Sequence, residues 1–176
     1  MGQKVNPTSL RVGINKYWQS TWFEKKEYSN FLKEDHTIRS YIEKNYSSAG
    51  ISSVIIERAA SNLKIIIHTS KPGVLIGKKG ADIEKLRNSL SKLSNKNISL
   101  DIKEIKKPET DASLVADSIA RQLEKRIAFR KAMKKSGMSA IKLGAKGVKI
   151  VCGGRLGGAE IARSEKFSEG SVPLHT

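Results

Sequence analysis

The sequence predicts an α+β fold in two successive units, on three observations. Hydrophobic periodicity alternates between helical and strand-like in the order α-β-β-α-α-β over residues 38–107. Pro108 closes that series, and a new helical stretch followed by strand-like segments begins at Asp111. A length of 176 residues suits two small domains, and roughly two thirds of the unfolded surface can be buried without disulfides or metal.

The elements follow in chain order. Residues 1–16 mix Gly, Pro, Asn and basic residues without periodicity and are expected to form an extended basic arm. Residues 17–33 hold Tyr17, Trp18, Trp22, Phe23, Tyr28 and Phe31. Two readings stay open for them: a short helix packed on the body, which is favoured, or a platform that stacks bases. Together, residues 1–37 form the N-terminal arm and aromatic segment. From Thr37, the residues Ile38, Tyr41, Ile42 and Tyr46 fall at helical spacing, and Gly50 marks the stop. Residues 51–60 alternate and are β-branched, 61–62 break the run, and 63–70 form a second strand, so a hairpin is expected. Pro72 opens a short helix. Gly77-Lys78-Lys79-Gly80 interrupts it, and Ile83, Leu86, Leu90 and Leu93 mark a longer helix before the strand 98–105.

In the second unit, residues 108–176, Asp111 is a candidate N-cap. Val115, Ile119, Leu123 and Ile127 step by four along a long helix, and a further helical piece is expected from Gly137 to Leu143. Residues 147–158 form a strand that ends in a Gly-rich turn, and 162–174 supply one more strand.

Charge narrows the function. Lys and Arg number 33 against 17 acidic residues, a net charge of +16. Self-repulsion of that size disfavours a compact chain unless a polyanion binds it, which points to nucleic acid before anionic membrane. Residues 51–108 hold 12 basic and 5 acidic groups, and residues 109–147 hold 9 and 4, so the middle of the chain is the electropositive part. No apolar run approaches a membrane span, and the N-terminus lacks the apolar core of a signal peptide. Cys152 is the one cysteine, so no disulfide can form within the chain. It has no Cys or His at ligand spacing, so no metal site is expected. His36, His68 and His175 are scattered, and no catalytic constellation or cofactor site emerges.

Two motifs carry the binding chemistry. Gly77 and Gly80 frame Lys78 and Lys79 between two helices. Glycines allow a tight turn and a close approach of backbone to phosphate, and the following helix points its N-terminal amides at the loop. A nucleotide-binding P-loop fails on spacing, because only three residues separate Gly73 from Gly77 and no Ser or Thr follows the lysines. Set within αββααβ, the loop resembles that of a type II KH domain, whose Gly-x-x-Gly clamps single-stranded backbone. The second motif is the run from Arg121 to Lys135, with seven basic residues and one acid. Along this helical run Arg126, Arg130 and Lys134 are spaced by four and line one face, flanked by Lys131 and Lys135, as a stripe for phosphates.

The segments GQKVNP…LRVG, PGVLIGKKG, KPETDASLVADSIARQLEKRIAFRKAMK and LGAKGVKIVCGGRLGGAEIAR…EGSVPLHT together resemble the bacterial-type ribosomal protein S-three family over essentially the whole chain. The resemblance implies a non-catalytic constituent of the small-subunit head, with a free KH-type regulatory mRNA-binding protein as the alternative. It implies binding to small-subunit rRNA, with Lys4, Arg11 and Lys16 in the arm, and contact with neighbouring head proteins. It also implies that mRNA is gripped at the entry channel and its unwinding helped, with Arg130, Lys131 and Lys134 at the matching positions. The family often has Arg where this chain has Lys131, which weakens bidentate phosphate contact there. The implied location is the ribosome of the cytoplasm, with an organellar ribosome as the alternative. Family members continue for several tens of residues past VPLHT, so the second domain is expected to be truncated.

Overall fold

The computed structural model describes residues 3, 5–59, 62–94 and 96–173, with the backbone alone at residue 79. The arm residue Lys4, the break residue Ser61 and the last three residues of VPLHT lie outside the described residues. The chain divides into two compact units, Met1–Ile105 and Lys106–Thr176.

The first unit is a four-stranded sheet with helices on one face. Its elements are α1 (Pro7–Leu10), β1 (Ser20–Thr21), α2 (Tyr28–Asn45), β2 (Ile51–Ala59), β3 (Asn62–Thr69), α3 (Pro72–Ile76), α4 (Ala81–Ser94) and β4 (Asn97–Glu104). Strand order is β1-β2-β3-β4. β2 and β3 form the expected antiparallel hairpin, with Ile56 opposite Ile65. β4 runs parallel to β3, with Ile65 opposite Leu100, after the crossover through α3 and α4. Residues two apart on a strand share a face, so Val54 and Ile56 on β2 and Leu63, Ile65 and Ile67 on β3 point together into the core. Ile38 and Ile42 of α2, Leu75 of α3, and Leu86 and Leu90 of α4 cover them. Burying each such side chain stabilises the fold by about 1.5–3 kcal/mol.

Two expectations need correction here. Residues 6–16 are not extended. The Asn6 Oδ1 accepts from the Thr8 and Ser9 amides at 2.9 and 3.3 Å, and Pro7 supplies a pre-set φ, so a helical turn forms. The amides of Ile14, Asn15 and Lys16 then fold back on the Arg11 carbonyl. The α2 helix also begins at Tyr28, well before Thr37, because Phe31 and Asp35 continue the inward face of Ile38 and Ile42 towards the N-terminus.

The aromatic segment divides. Trp22 packs against Tyr28 and, edge-on at 5.6 Å, against Phe31. Asp35 is fully buried. Its carboxylate accepts from Ser20 Oγ at 2.7 Å, from Trp22 Nε1 at 2.8 Å and from the Arg58 guanidinium of β2. Arg58 is also bonded to Glu34 at 2.7 Å and lies over the Phe31 ring. This network fastens β1 and α2 to the hairpin.

The second unit packs α5 (Ala112–Glu124) and α6 (Phe129–Lys142) on a two-stranded antiparallel sheet, β5 (Gly147–Gly154) and β6 (Arg163–Gly170). Asp111 caps α5 as expected, accepting from the Ser113 and Leu114 amides. Ile119, Met133 and Cys152 form the buried centre, with Ile150 and Phe167 against them. Cys152 is therefore a core residue.

The long helix is broken at residues 125–128, not at Gly137. The Ile127 amide reaches back to the Gln122 carbonyl at 3.1 Å, and the Arg126 amide to Leu123 at 2.8 Å, while Arg126 takes φ +60°. This pair of bonds is a Schellman closure, which satisfies the last carbonyls of α5. α6 instead runs unbroken through Gly137, where the Phe167 ring fills the space a side chain would need.

Candidate nucleic-acid interface

The Gly-x-x-Gly loop is positioned from below. Thr69, at the end of β3, is fully buried; its hydroxyl donates to the Ala49 carbonyl at 2.7 Å and accepts from the Lys71 amide at 3.1 Å. The Ser70 amide bonds the Gly50 carbonyl at 3.0 Å. These bonds fix the entry to α3, whose Leu75 is buried while Val74 and Ile76 stay half exposed beside the loop. Gly77 and Gly80 take φ +70° and +80°, and a Cβ on Gly77 would overlap the Asp82 carboxylate. Gly77 is thus required by both its dihedral and its neighbour. Residues 78–80 form a tight 3₁₀ turn that leads into α4.

Lys78 projects into solvent from this turn; the side chain of Lys79 lies outside the described residues. The arrangement places apolar Val74 and Ile76 next to a cationic turn and a helix N-terminus. A nucleotide strand fits such a surface, with sugars or bases against the apolar pair and phosphate at the turn. Sequence reasoning missed one feature: Asp82 and Glu84 sit in the first turn of α4, and Asp82 is paired with Lys85 at 3.2 Å. Acids there favour the helix dipole and oppose an incoming phosphate. The Tyr46 phenol is held above its ordinary range by burial first, then by Tyr41 and Asp82, with Lys85 opposing, so it stays neutral at physiological pH.

The second surface lies on α6. Arg130, Lys131, Lys134 and Lys135 are all exposed, while Ala132, Met133, Gly137 and Ala140 face the core. Arg130 and Lys134 are one turn apart, as expected. Arg126 is not part of this helix face, because it sits in the left-handed residue of the break. The helix contains no acid. Its start is unfavourable by local rules. Ala128 gives no side-chain cap, and two cations occupy the first turn, next to the positive end of the helix dipole. Each such cation costs roughly 0.3–1 kcal/mol. Arg130 has one counter-charge, Glu165 of β6, at 3.3 Å, which also lies 3.8 Å from Arg163.

In the arm, Arg11 donates to the Pro7 carbonyl at 2.9 Å and is half buried, whereas Lys16 is exposed. Among the described residues, no group of three His, Cys, Asp or Glu side chains could hold a metal ion. No described helix is long and apolar enough to cross a membrane.

Comparison with known proteins fits both units. The KH domain family matches residues 37–110. The family described as ribosomal protein S3, C-terminal domain, matches residues 119–176. Small ribosomal subunit protein uS3 of Beijerinckia indica is 58% identical over the whole of this chain and 73% of its own length. The protein of that name in Desulforamulus reducens is also 58% identical, with 80% of its length covered. The one in Geobacter sulfurreducens is 53% identical, with 83% covered.

Proposed function

Since the chain belongs to the small ribosomal subunit protein uS3 family, a non-catalytic, RNA-binding constituent of the small subunit, we propose that its α6 surface grips incoming mRNA at the entry channel. The observation that carries this reading is the acid-free, exposed cluster of Arg130, Lys131, Lys134 and Lys135 at a helix start that local energetics disfavour. Charge retained against the helix dipole needs a use elsewhere, and a polyanion supplies one. Arg130 and Lys134 are one helical turn apart, about 6 Å, close to the spacing of phosphates along a strand. Such contacts read no bases, so the grip is independent of sequence. In this reading help in unwinding is passive: translocation pulls the strand, and the cations disfavour reannealing.

In the same reading, Gly77, Lys78, Lys79 and Gly80 hold a single-stranded backbone of rRNA or mRNA. The arm, through Lys4, Arg11 and Lys16, holds rRNA, and the remaining surface meets neighbouring head proteins. Arg126, in the break before α6, is not counted in the α6 cluster. Photo-crosslinking tests the assignment: ribosomes halted on a message carrying 4-thiouridine just downstream of the decoding site should crosslink to the peptide containing α6. Crosslinks that never include this peptide would overturn it.

A further inference from the structure

We infer that Trp18, in a short segment that also exposes Tyr17 and Phe23, stacks unpaired RNA bases beside the phosphate-binding arm. Tyr17 is 88% exposed, Trp18 68% and Phe23 83%. A lone exposed ring needs no explanation, but three within seven residues of a basic segment call for one.

The backbone between Trp18 and Phe23 is fixed at Gln19, Ser20 and Thr21. The Gln19 carbonyl, next to Trp18, accepts from the Ile56 amide at 2.8 Å and from Arg39 Nη2 at 3.0 Å. Ser20 and Thr21 pair in register with Ile56 and Glu57 of β2. Beyond them the side chains alternate, so that Ser20 and Trp22 turn inward while Thr21 and Phe23 turn outward. Trp22 is tied to buried Asp35. A ring held outward on an anchored backbone loses little freedom on binding, as a stacking platform requires.

Charge decides which partner fits. Residues 11–26 hold Arg11, Lys16, Lys25 and Lys26 against one acid, Glu24. The Glu24 carboxylate is engaged by the amides of Lys25 and Lys26 at 2.9 and 3.0 Å. Aromatic faces interleaved with cations match a single-stranded nucleic acid, whose bases stack while its phosphates are paired. This inference rests on the rRNA-binding role proposed for the arm and adds the bases to it.

The test uses the full chain and two labelled probes, a short oligoadenylate and a matched abasic strand. The wild-type protein should bind the base-bearing strand more tightly. Trp18→Leu should lose about fivefold or more of that margin, and Trp18→Phe should keep it, with unchanged circular dichroism in both. Arg11→Glu with Lys16→Glu should weaken both strands alike. If it does not, the phosphate role of the arm fails, and the Trp18 margin still judges the platform by itself. A wild-type protein without a margin, or Trp18→Leu binding both probes as wild type does, would overturn the inference. So would a Trp18→Leu protein that binds RNA normally but fails to join a neighbouring head protein, because the rings would then meet protein.

Discussion

The guanidinium of Arg130 lies 3.3 Å from the carboxylate of Glu165, so the first cation of α6 is partly neutralised within its own unit. Arg130 is 73% exposed in this pair, which limits its worth to about 1 kcal/mol or less. Glu165→Gln should therefore change stability by less than about 1 kcal/mol in urea unfolding. RNA affinity at low salt should rise, by at most about fivefold. A fall in affinity would mean that Glu165 positions Arg130 for RNA.

At the loop, Lys78→Asp with Lys79→Asp should weaken single-stranded RNA binding by the full chain and leave its circular dichroism unchanged. The wild-type affinity should fall linearly with salt on logarithmic axes, and the double variant should show a shallower slope. Gly77→Ala should damage the loop by another route, because a Cβ meets the Asp82 carboxylate and φ +70° is strained for alanine. Equal slopes for the double variant and the wild type would remove these lysines from the RNA contact.

The break between α5 and α6 explains what could and could not be read from the sequence. The same closure ends both helices. After α6, the Ala145 amide bonds the Ala140 carbonyl at 3.1 Å and Gly144 takes φ +102°. Glycine announces that stop. After α5, the left-handed position is filled by Arg126, which looks like an ordinary helical residue, so periodicity ran on through Ile127 and placed Arg126 on the wrong face. Gly137 misled in the opposite sense. It is a packing residue under Phe167, and nothing local distinguishes it from a stop. The αββααβ order was legible because strand alternation and helical spacing each act within one element. Asp35 was not legible as a hub, since its partners Ser20, Trp22 and Arg58 meet only in three dimensions.

Arg126 is the one non-glycine residue with positive φ among those described. A left-handed conformation costs an L-residue roughly 1–2 kcal/mol. Arg126→Gly should relieve part of that and raise the urea midpoint of the second unit, with a gain in unfolding free energy of up to about 1 kcal/mol after the entropy of the freer unfolded chain is set against it. Loss of stability instead would show that the Arg126 side chain makes a contact worth more than the strain.

Two buried positions should be unforgiving. Asp35→Ala leaves buried Arg58 with Glu34 alone as its counter-charge and frees the Trp22 indole, so a loss of about 3–5 kcal/mol is expected. Gly137→Ala forces the Phe167 ring aside at a cost of about 1–3 kcal/mol. Thermal or urea unfolding of the full chain reads both, and the Asp35 change should also expose Trp22 to fluorescence quenchers.

The entry-channel grip is tested most directly by translation with ribosomes in which Arg130, Lys131 and Lys134 are all replaced by Ala. All three side chains are exposed and none belongs to the core, so subunit assembly should be nearly normal. The measurement is the elongation rate on two messages, one unstructured and one with a stable hairpin just downstream of the starting position. The account predicts near-normal rates on the first and a marked slowing on the second. Equal slowing on both messages, or none on either, would contradict it.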